Sequence, residues 1–350
     1  MCIRDSCRLF RLWSRSASSM KAAYIEQTGP PDVIRVGELP EPSIGADDLL
    51  IRVHAAAVNP IDTYVRGGAV AFELPQPYVL GCDAAGIVEQ VGASATHFRP
   101  GDRVWCTNQG LLGRQGTFAE KLSVSQDWCF PLPDEVSFED AAACALVSVT
   151  AHLGLYREAR LEAGETILVI GGSGGVGSMV VQMAKATGAQ VIATAGSDDK
   201  CRRVEALGAD AVINYQRESI ADGVHREAPK GVNVFWETRR EPDFDLAVDL
   251  MAPRGRMVLM AGRDARPVFP VGPFYVKECS LHGFVMFKAT PVEMRAAADE
   301  INHWLVQGKL RANIAARFPL DQAAKAHRLQ EAATLEGTAE LPGKIVVTID

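Results

Sequence analysis

Residues 171–177 read Gly-Gly-Ser-Gly-Gly-Val-Gly, directly after a short apolar run at 166–170 and directly before a helical pattern at 179–186. This spacing satisfies G-x-G-x-x-G at Gly172, Gly174 and Gly177 in a strand-turn-helix setting. The three glycines do different things. One permits the tight turn, one lets a diphosphate approach the backbone, and one lets the helix pack closely on the strand. The helix start then offers unpaired N–H groups and about half a unit of positive charge to an anion. Taken alone, the glycines are equally compatible with a flexible turn. The surrounding pattern decides for a dinucleotide site, because β-type runs at 166–170, 190–194, 211–214, 232–236, 256–260 and 281–285 alternate with helical segments. Such alternation builds a parallel sheet covered on both faces.

Upstream the texture differs. Short, partly alternating runs at 21–25, 49–55, 86–91, 103–106 and 118–121 are broken by turn formers such as Gly29-Pro30-Pro31 and Arg99-Pro100-Gly101-Asp102, which predicts an irregular antiparallel barrel. After the alternating region come helical patterns at 291–307 and 320–333 and a final apolar run at 344–349, read as folding back onto the first unit. At 350 residues the chain exceeds one ordinary core, so two domains are expected: 20–144 with 288–350, and 145–287.

A formal charge of −7 and the lack of a basic stripe argue against nucleic acid or an anionic membrane as the main partner. The most apolar stretches, 141–151 and 166–170, fall short of the roughly 20 residues of a membrane-spanning helix. Eight scattered cysteines form no C-x-x-C pair, which fits reduced thiols in a reducing compartment. Residues 1–19, with Arg4, Arg8, Arg11 and Arg15 among serines, resemble an organellar presequence. The favoured reading is that they are a translated artefact upstream of a start at Met20, with a cytoplasmic protein to follow; a genuine presequence would make it mitochondrial.

Cofactor choice is read at the end of the second strand, where an NAD enzyme places a carboxylate for the ribose 2′-hydroxyl. Here stand Thr194-Ala195-Gly196-Ser197, with Lys200 close behind. A carboxylate ~4 Å from a 2′-phosphate costs roughly 4 kcal/mol at an effective dielectric near 20, or about three decades in affinity. Its absence beside a cation favours NADPH. Asp198 and Asp199 could instead reach the ribose, but acidic residues are common in the first turn of a helix.

Five ordered motifs carry a family resemblance: Ala-Val-Asn-Pro-Ile-Asp-Thr-Tyr-Val-Arg-Gly at 57–67, Gly-Cys-Asp-Ala-Ala-Gly at 81–86, Gly-Asp-Arg-Val at 101–104, the glycine turn, and Leu-Gly-Ala-Asp-Ala-Val-Ile-Asn-Tyr at 207–215. From Met20 onward the chain resembles the quinone oxidoreductase (zeta-crystallin-like) branch of the medium-chain dehydrogenase/reductase superfamily. The resemblance implies an α/β protein with a GroES-like β-barrel catalytic domain and a doubly wound Rossmann domain. It also implies a homodimer joined through the last Rossmann strand near 280–287.

By the same resemblance Asn59, Asp62, Tyr64 and Arg66 line the active-site cleft, and Thr150 helps position the nicotinamide. Gly172, Gly174, Gly175, Val176 and Gly177 form the pyrophosphate turn. Gly196, Ser197, Lys200 and Tyr215 surround the adenosine ribose and its 2′-phosphate. Gly262 and Phe284, Val285 and Met286 flank the nicotinamide, and Lys344 reaches toward the cofactor phosphates. Zinc-dependent relatives carry ligands at the equivalents of Asn59 and of Cys82-Asp83; with no histidine there, metal-free chemistry is expected. Val70 departs from the pattern, since many relatives carry a tyrosine at that point. Aromatic contact with substrate would then fall to Tyr64, Phe72, Tyr78 or Phe287, each of which is equally read as simple packing.

These readings converge on hydride transfer from NADPH to a quinone, with Asn59, Tyr64 or Arg66 stabilising the oxyanion. The alternatives are reduction of a conjugated C=C bond in an enal, enone or enoyl thioester, and, in another class, a crystallin-like structural or RNA-binding protein that only holds NADPH.

Overall fold

A computed structural model describes residues 18–70 and 73–349. Most of the leader at 1–19, and Phe72, lie outside the described residues.

The alternating region forms a six-stranded, all-parallel sheet in the order Ala211–Asn214, Gln190–Ala195, Thr166–Val169, Val232–Glu237, Met251–Leu259, Ser280–Gly283. The central strands are wholly apolar because both of their faces are covered: Ile167, Leu168 and Val169 are all fully buried. The strand at Met251–Leu259 begins five residues before the run expected from the sequence. Its leading segment carries Pro253, Arg254 in a left-handed conformation and Gly255, which break the apolar pattern while pairing still begins at Met251 opposite Val232.

The chain's two ends build the second lobe. Its seven-stranded sheet runs Ile314–Pro319, Lys344–Thr348, Asp48–Val58, Asp83–Val91, Arg103–Cys106, Cys129–Pro131, with Lys121–Ser125 also paired to Asp48–Val58. The last strand of the sequence is thus an inner strand, antiparallel to Asp48–Val58 and parallel to Ile314–Pro319. A small sheet of Arg35–Pro40, Ser19–Ile25 and Tyr78–Val79 closes one side.

One helix joins the lobes. Phe138–His152 starts at Ser137, whose hydroxyl accepts from the Asp140 N–H at 3.0 Å, and continues as a wider turn through Leu153–Glu158. It is longer than the apolar runs in the sequence suggest and passes the length and composition test for crossing a membrane, yet 78% of its most apolar window is buried inside the fold. Its Ala, Val and Leu side chains tie Ala55, Ala85 and Trp105 of the barrel to Val169 and Trp236 of the parallel sheet and to Val181 of the helix Gly175–Thr187 in one apolar cluster. The lobes therefore share a core.

Candidate functional site

The glycine turn lies where the parallel strands 166–169 and 232–237 diverge in chain order, the crevice at which doubly wound sheets bind ligands. The helix Gly175–Thr187 begins with Gly174 at its cap, with no side-chain cap and no acidic residue in its first turn. Its first N–H groups are therefore left for an external anion. A Cβ on Gly177 would lie 2.2 Å from the Gly171 carbonyl oxygen, and one on Gly172 would lie 2.9 Å from Ala193 Cβ. The turn is as tight as its sequence requires, and its residues fit a dinucleotide pyrophosphate.

At the end of the second strand a Cβ on Gly196 would lie 2.3 Å from the Tyr215 hydroxyl, so the phenol rests on bare backbone. The Ser197 hydroxyl accepts from the Lys200 N–H at 3.3 Å and caps the next helix. Lys200 Nζ lies 3.3 Å from Glu340 of the other lobe. The two competing carboxylates are engaged locally: Asp198 accepts from Asn214 and Arg217, and Asp199 from Arg202. Gly196, Ser197, Lys200 and Tyr215 are thus brought together. Arg217, which lies beside them through Asp198, was not singled out from the sequence because it follows the third strand.

The cleft residues divide. Asn59 is fully buried: its amide N–H₂ donates to Asp83 Oδ2 at 2.8 Å, and its carbonyl accepts from Lys344 Nζ. Asp83 also accepts from Thr107 Oγ1 at 2.6 Å and from the Leu146 N–H at 3.3 Å. Asp62 takes the Asn59 N–H at 2.7 Å and is 2% exposed; burial pushes its carboxyl up to about 7, against the Cys82 thiol and the Asn59 N–H. Burial likewise raises Asp83 and lowers Lys344.

Asn59 and Asp62 thus form a buried polar network at the start of helix Pro60–Arg66. The Arg66 guanidinium is 1% exposed and is paired with Glu331 of helix Ala323–Glu331. Lys344 is buried in the same network. Its ammonium donates to the Val58 carbonyl at 2.8 Å and to Asn59, leaving only its stem near Gly175.

Tyr64 alone of the four faces the opposite lobe. Its hydroxyl accepts from Arg240 Nη2 at 2.9 Å, and the guanidinium lies over its ring at 5.8 Å. Arg240 also donates to the Thr334 carbonyl at 2.5 Å. Gly262 sits against it, since a Cβ there would lie 2.5 Å from the Arg240 carbonyl oxygen. Arg240 and Arg263, which donates to the Ala69 carbonyl at 2.6 Å, were missed in the sequence. The available signal was their place just after two parallel strands, the end of the sheet that holds ligands.

Thr150 bonds its own helix, donating to the Leu146 carbonyl at 2.8 Å. Phe284 packs edge-on to Trp236, Met286 is buried, and Val285 is 38% exposed. Phe284 and Val285 line a cavity of about 600 Å³ together with Leu259, Met260, Arg263 and Lys288. Tyr78 is fully buried and donates to the Gly110 carbonyl at 2.7 Å, a packing role rather than a substrate surface.

A GroES-like barrel closed over a doubly wound sheet, with a glycine-turn crevice between them, defines the medium-chain dehydrogenase/reductase class. Residues 45–134 match the alcohol dehydrogenase GroES-like domain and residues 175–303 match the zinc-binding dehydrogenase family. The quinone oxidoreductase of Rattus norvegicus is 33% identical over 310 residues, covering 88% of this chain and 93% of that protein. Among solved structures, an NAD-dependent alcohol dehydrogenase superposes with a TM-score of 0.85 at 31% identity, covering 95% of this chain and 100% of that one. A mycobacterial protein complexed with NADPH superposes at 0.81 with 30% identity, covering 94% and 100%. The chain belongs to the quinone oxidoreductase branch of the medium-chain dehydrogenase/reductase superfamily and is an oxidoreductase.

The matched family's description implies a metal, and the residues present do not fit one. Among the described residues no three histidine, cysteine or carboxylate side chains converge on a point, and Asn59 bonds Asp83 directly while its carbonyl takes the Lys344 ammonium. A divalent ion there would be repelled by a fixed cation.

Proposed function

We propose that this chain reduces a quinone, or a similarly electron-poor acceptor, by metal-free hydride transfer with NADPH as the cofactor. The observation that supports this reading is the end of the second strand, where no carboxylate stands at 195–197, Asp198 and Asp199 are taken up by Asn214, Arg217 and Arg202, and Gly196 lies bare under Tyr215 with Lys200 close by. Bound in the crevice, the cofactor supplies the hydride. The first turn of helix 175–187 would hold its pyrophosphate, and Lys200, exchanging the exposed Glu340 for the ligand, would receive the 2′-phosphate with Ser197 and Tyr215. Tyr64 accepts a hydrogen bond from Arg240 and keeps its own proton, so it is the group equipped to donate to a developing oxyanion on the acceptor.

The test is turnover with NADPH and NADH against a quinone panel and an enone panel. NADPH and quinones should lead. Rapid enone turnover without quinone turnover would replace the acceptor, and preference for NADH would overturn the cofactor. Lys200→Glu should raise the KM for NADPH by ~10-fold or more while leaving that for NADH within about twofold, as expected for one lost charge contact to a phosphate.

The homodimer belongs to the same reading. Ser280–Gly283 is the terminal strand of its sheet, and Val271, Tyr275, Val276, Leu281 and Val285 near it are all more than a third exposed. An unpaired edge bordered by apolar side chains favours a second copy. Light scattering should give twice the 37.7 kDa chain mass, and Leu281→Asp should halve it; a single-chain mass for the unmodified protein would remove the dimer.

A further inference from the structure

The loops that follow two adjacent parallel strands carry four arginines at the ligand-binding end of the sheet. Arg239 and Arg240 follow strand Val232–Glu237, and Arg263 and Arg266 follow strand Met251–Leu259. Among the described residues Arg239 is the one of the four paired with a buried carboxylate, through three contacts of 2.7–3.1 Å to Glu237. Arg240 has no carboxylate partner among the described residues; its contacts are the Tyr64 hydroxyl, the Tyr64 ring and the Thr334 carbonyl. Arg266 donates to the Ala265 carbonyl. Arg263 has only its neighbour Asp264, at 3.3 Å and 87% exposed, besides the Ala69 carbonyl.

The direction of these side chains is informative. Arg240 and Arg263 both reach across to the barrel, one to Tyr64 and the other to Ala69 beside Val70, and so bracket the mouth of the cleft. Across the cleft both arginines meet only neutral acceptors, the Tyr64 hydroxyl and the Thr334 and Ala69 carbonyls, which an anion can replace with a gain in charge-assisted bonding; the one carboxylate on Arg263 is the exposed Asp264. In a chain of net charge −7, cations converging on a cleft mouth focus the local field on anions. A neutral quinone offers them only further carbonyl oxygens.

We propose that the preferred acceptor is anionic: an electron-poor quinone or conjugated alkene whose side chain bears a carboxylate or phosphate held by Arg240 and Arg263. This rests on the reductase reading above and adds the charge of the substrate to it. The hydride goes to the electron-poor carbon framework and the proton to the resulting oxyanion, while the anionic group is bound and takes no part in the electron transfer.

The test uses a matched pair, a naphthoquinone carrying a propionate side chain and its methyl ester, which differ only in charge. The unmodified protein should show kcat/KM for the acid at least ~10-fold above that for the ester, the size of one charge-assisted hydrogen bond. That ratio should fall toward one at high salt, and in an Arg240→Gln, Arg263→Gln variant. The salt arm needs no variant and stands if the substituted protein does not fold. Equal use of acid and ester by the unmodified protein overturns the proposal. So does a ratio that survives the double substitution while the KM for NADPH rises tenfold, which would assign the arginines to the cofactor. Calorimetry with the acid separates the two levels: Arg-dependent binding without turnover keeps the anion site and sinks the reductase reading, and no binding sinks the anion site.

Discussion

Replacing Gly177 with valine is expected to abolish useful dinucleotide binding. The new Cβ would lie 2.2 Å from the Gly171 carbonyl oxygen and 3.2 Å from Gly172 Cα, both backbone atoms that cannot step aside without opening the turn. Opening it withdraws the first-turn N–H groups from the pyrophosphate. Losing two hydrogen bonds to a charged group costs about 3 kcal/mol, roughly a 100-fold weaker Kd by calorimetry. Gly272→Ala is the matching control, because nothing lies within 4 Å of a Cβ there and binding should hold. Affinity for NADPH within about threefold of the unmodified protein would mean that the dinucleotide does not sit on this turn.

The largest loss of stability is expected from Lys344→Met. The ammonium is buried among Asn59, Asp83 and Asp62, and the substitution leaves two buried carboxyl groups without their cation. Removing one partner of a buried charge set costs about 3–5 kcal/mol, visible as a lower midpoint in urea unfolding. Asp83→Asn in the same chain should recover part of that loss. The pH dependence has a fixed sign. Both carboxyls already titrate above their ordinary range in the folded state, and losing Lys344 pushes them higher. Their contribution is therefore fullest at acid pH and falls as pH rises toward and through the folded values, near 7 for Asp62, so the variant should lose most at pH 8 and least near pH 5. A midpoint unchanged at pH 8 would show that the ammonium contributes nothing to the fold.

The inner parallel strands at 166–169, 190–195 and 232–237 were legible because they are largely buried on both faces and so read as near-continuous apolar runs. The turn between them was legible because Gly171, Gly172 and Gly177 answer to contacts of 2.2–2.9 Å that any side chain would violate. Strand Ile314–Pro319 was not foreseen: it alternates between half-buried and exposed at one edge of its sheet, and Ala-Ala-Arg carries little β signal.

The site was read less completely for a related reason. The family resemblance grouped Asn59, Asp62, Tyr64 and Arg66 in the cleft but could not say which of them are buried within the lobe. That choice is made by Lys344 and Glu331, which lie 285 and 265 residues further along the chain. Arg240 and Arg263 carry no local motif at all; they become neighbours of Tyr64 and Ala69 only when the lobes meet.

The position of Lys344 also bears on how the protein is made. Residues 344–348 slot between two strands, one from the first sixth of the chain, and deliver the cation beneath the helix that carries Tyr64. During synthesis the parallel sheet can form while the barrel still waits for its inner strand. A chain lacking residues 344–348 would thus keep all six strands of the parallel sheet while its barrel lacked an inner strand and the buried cation that strand carries.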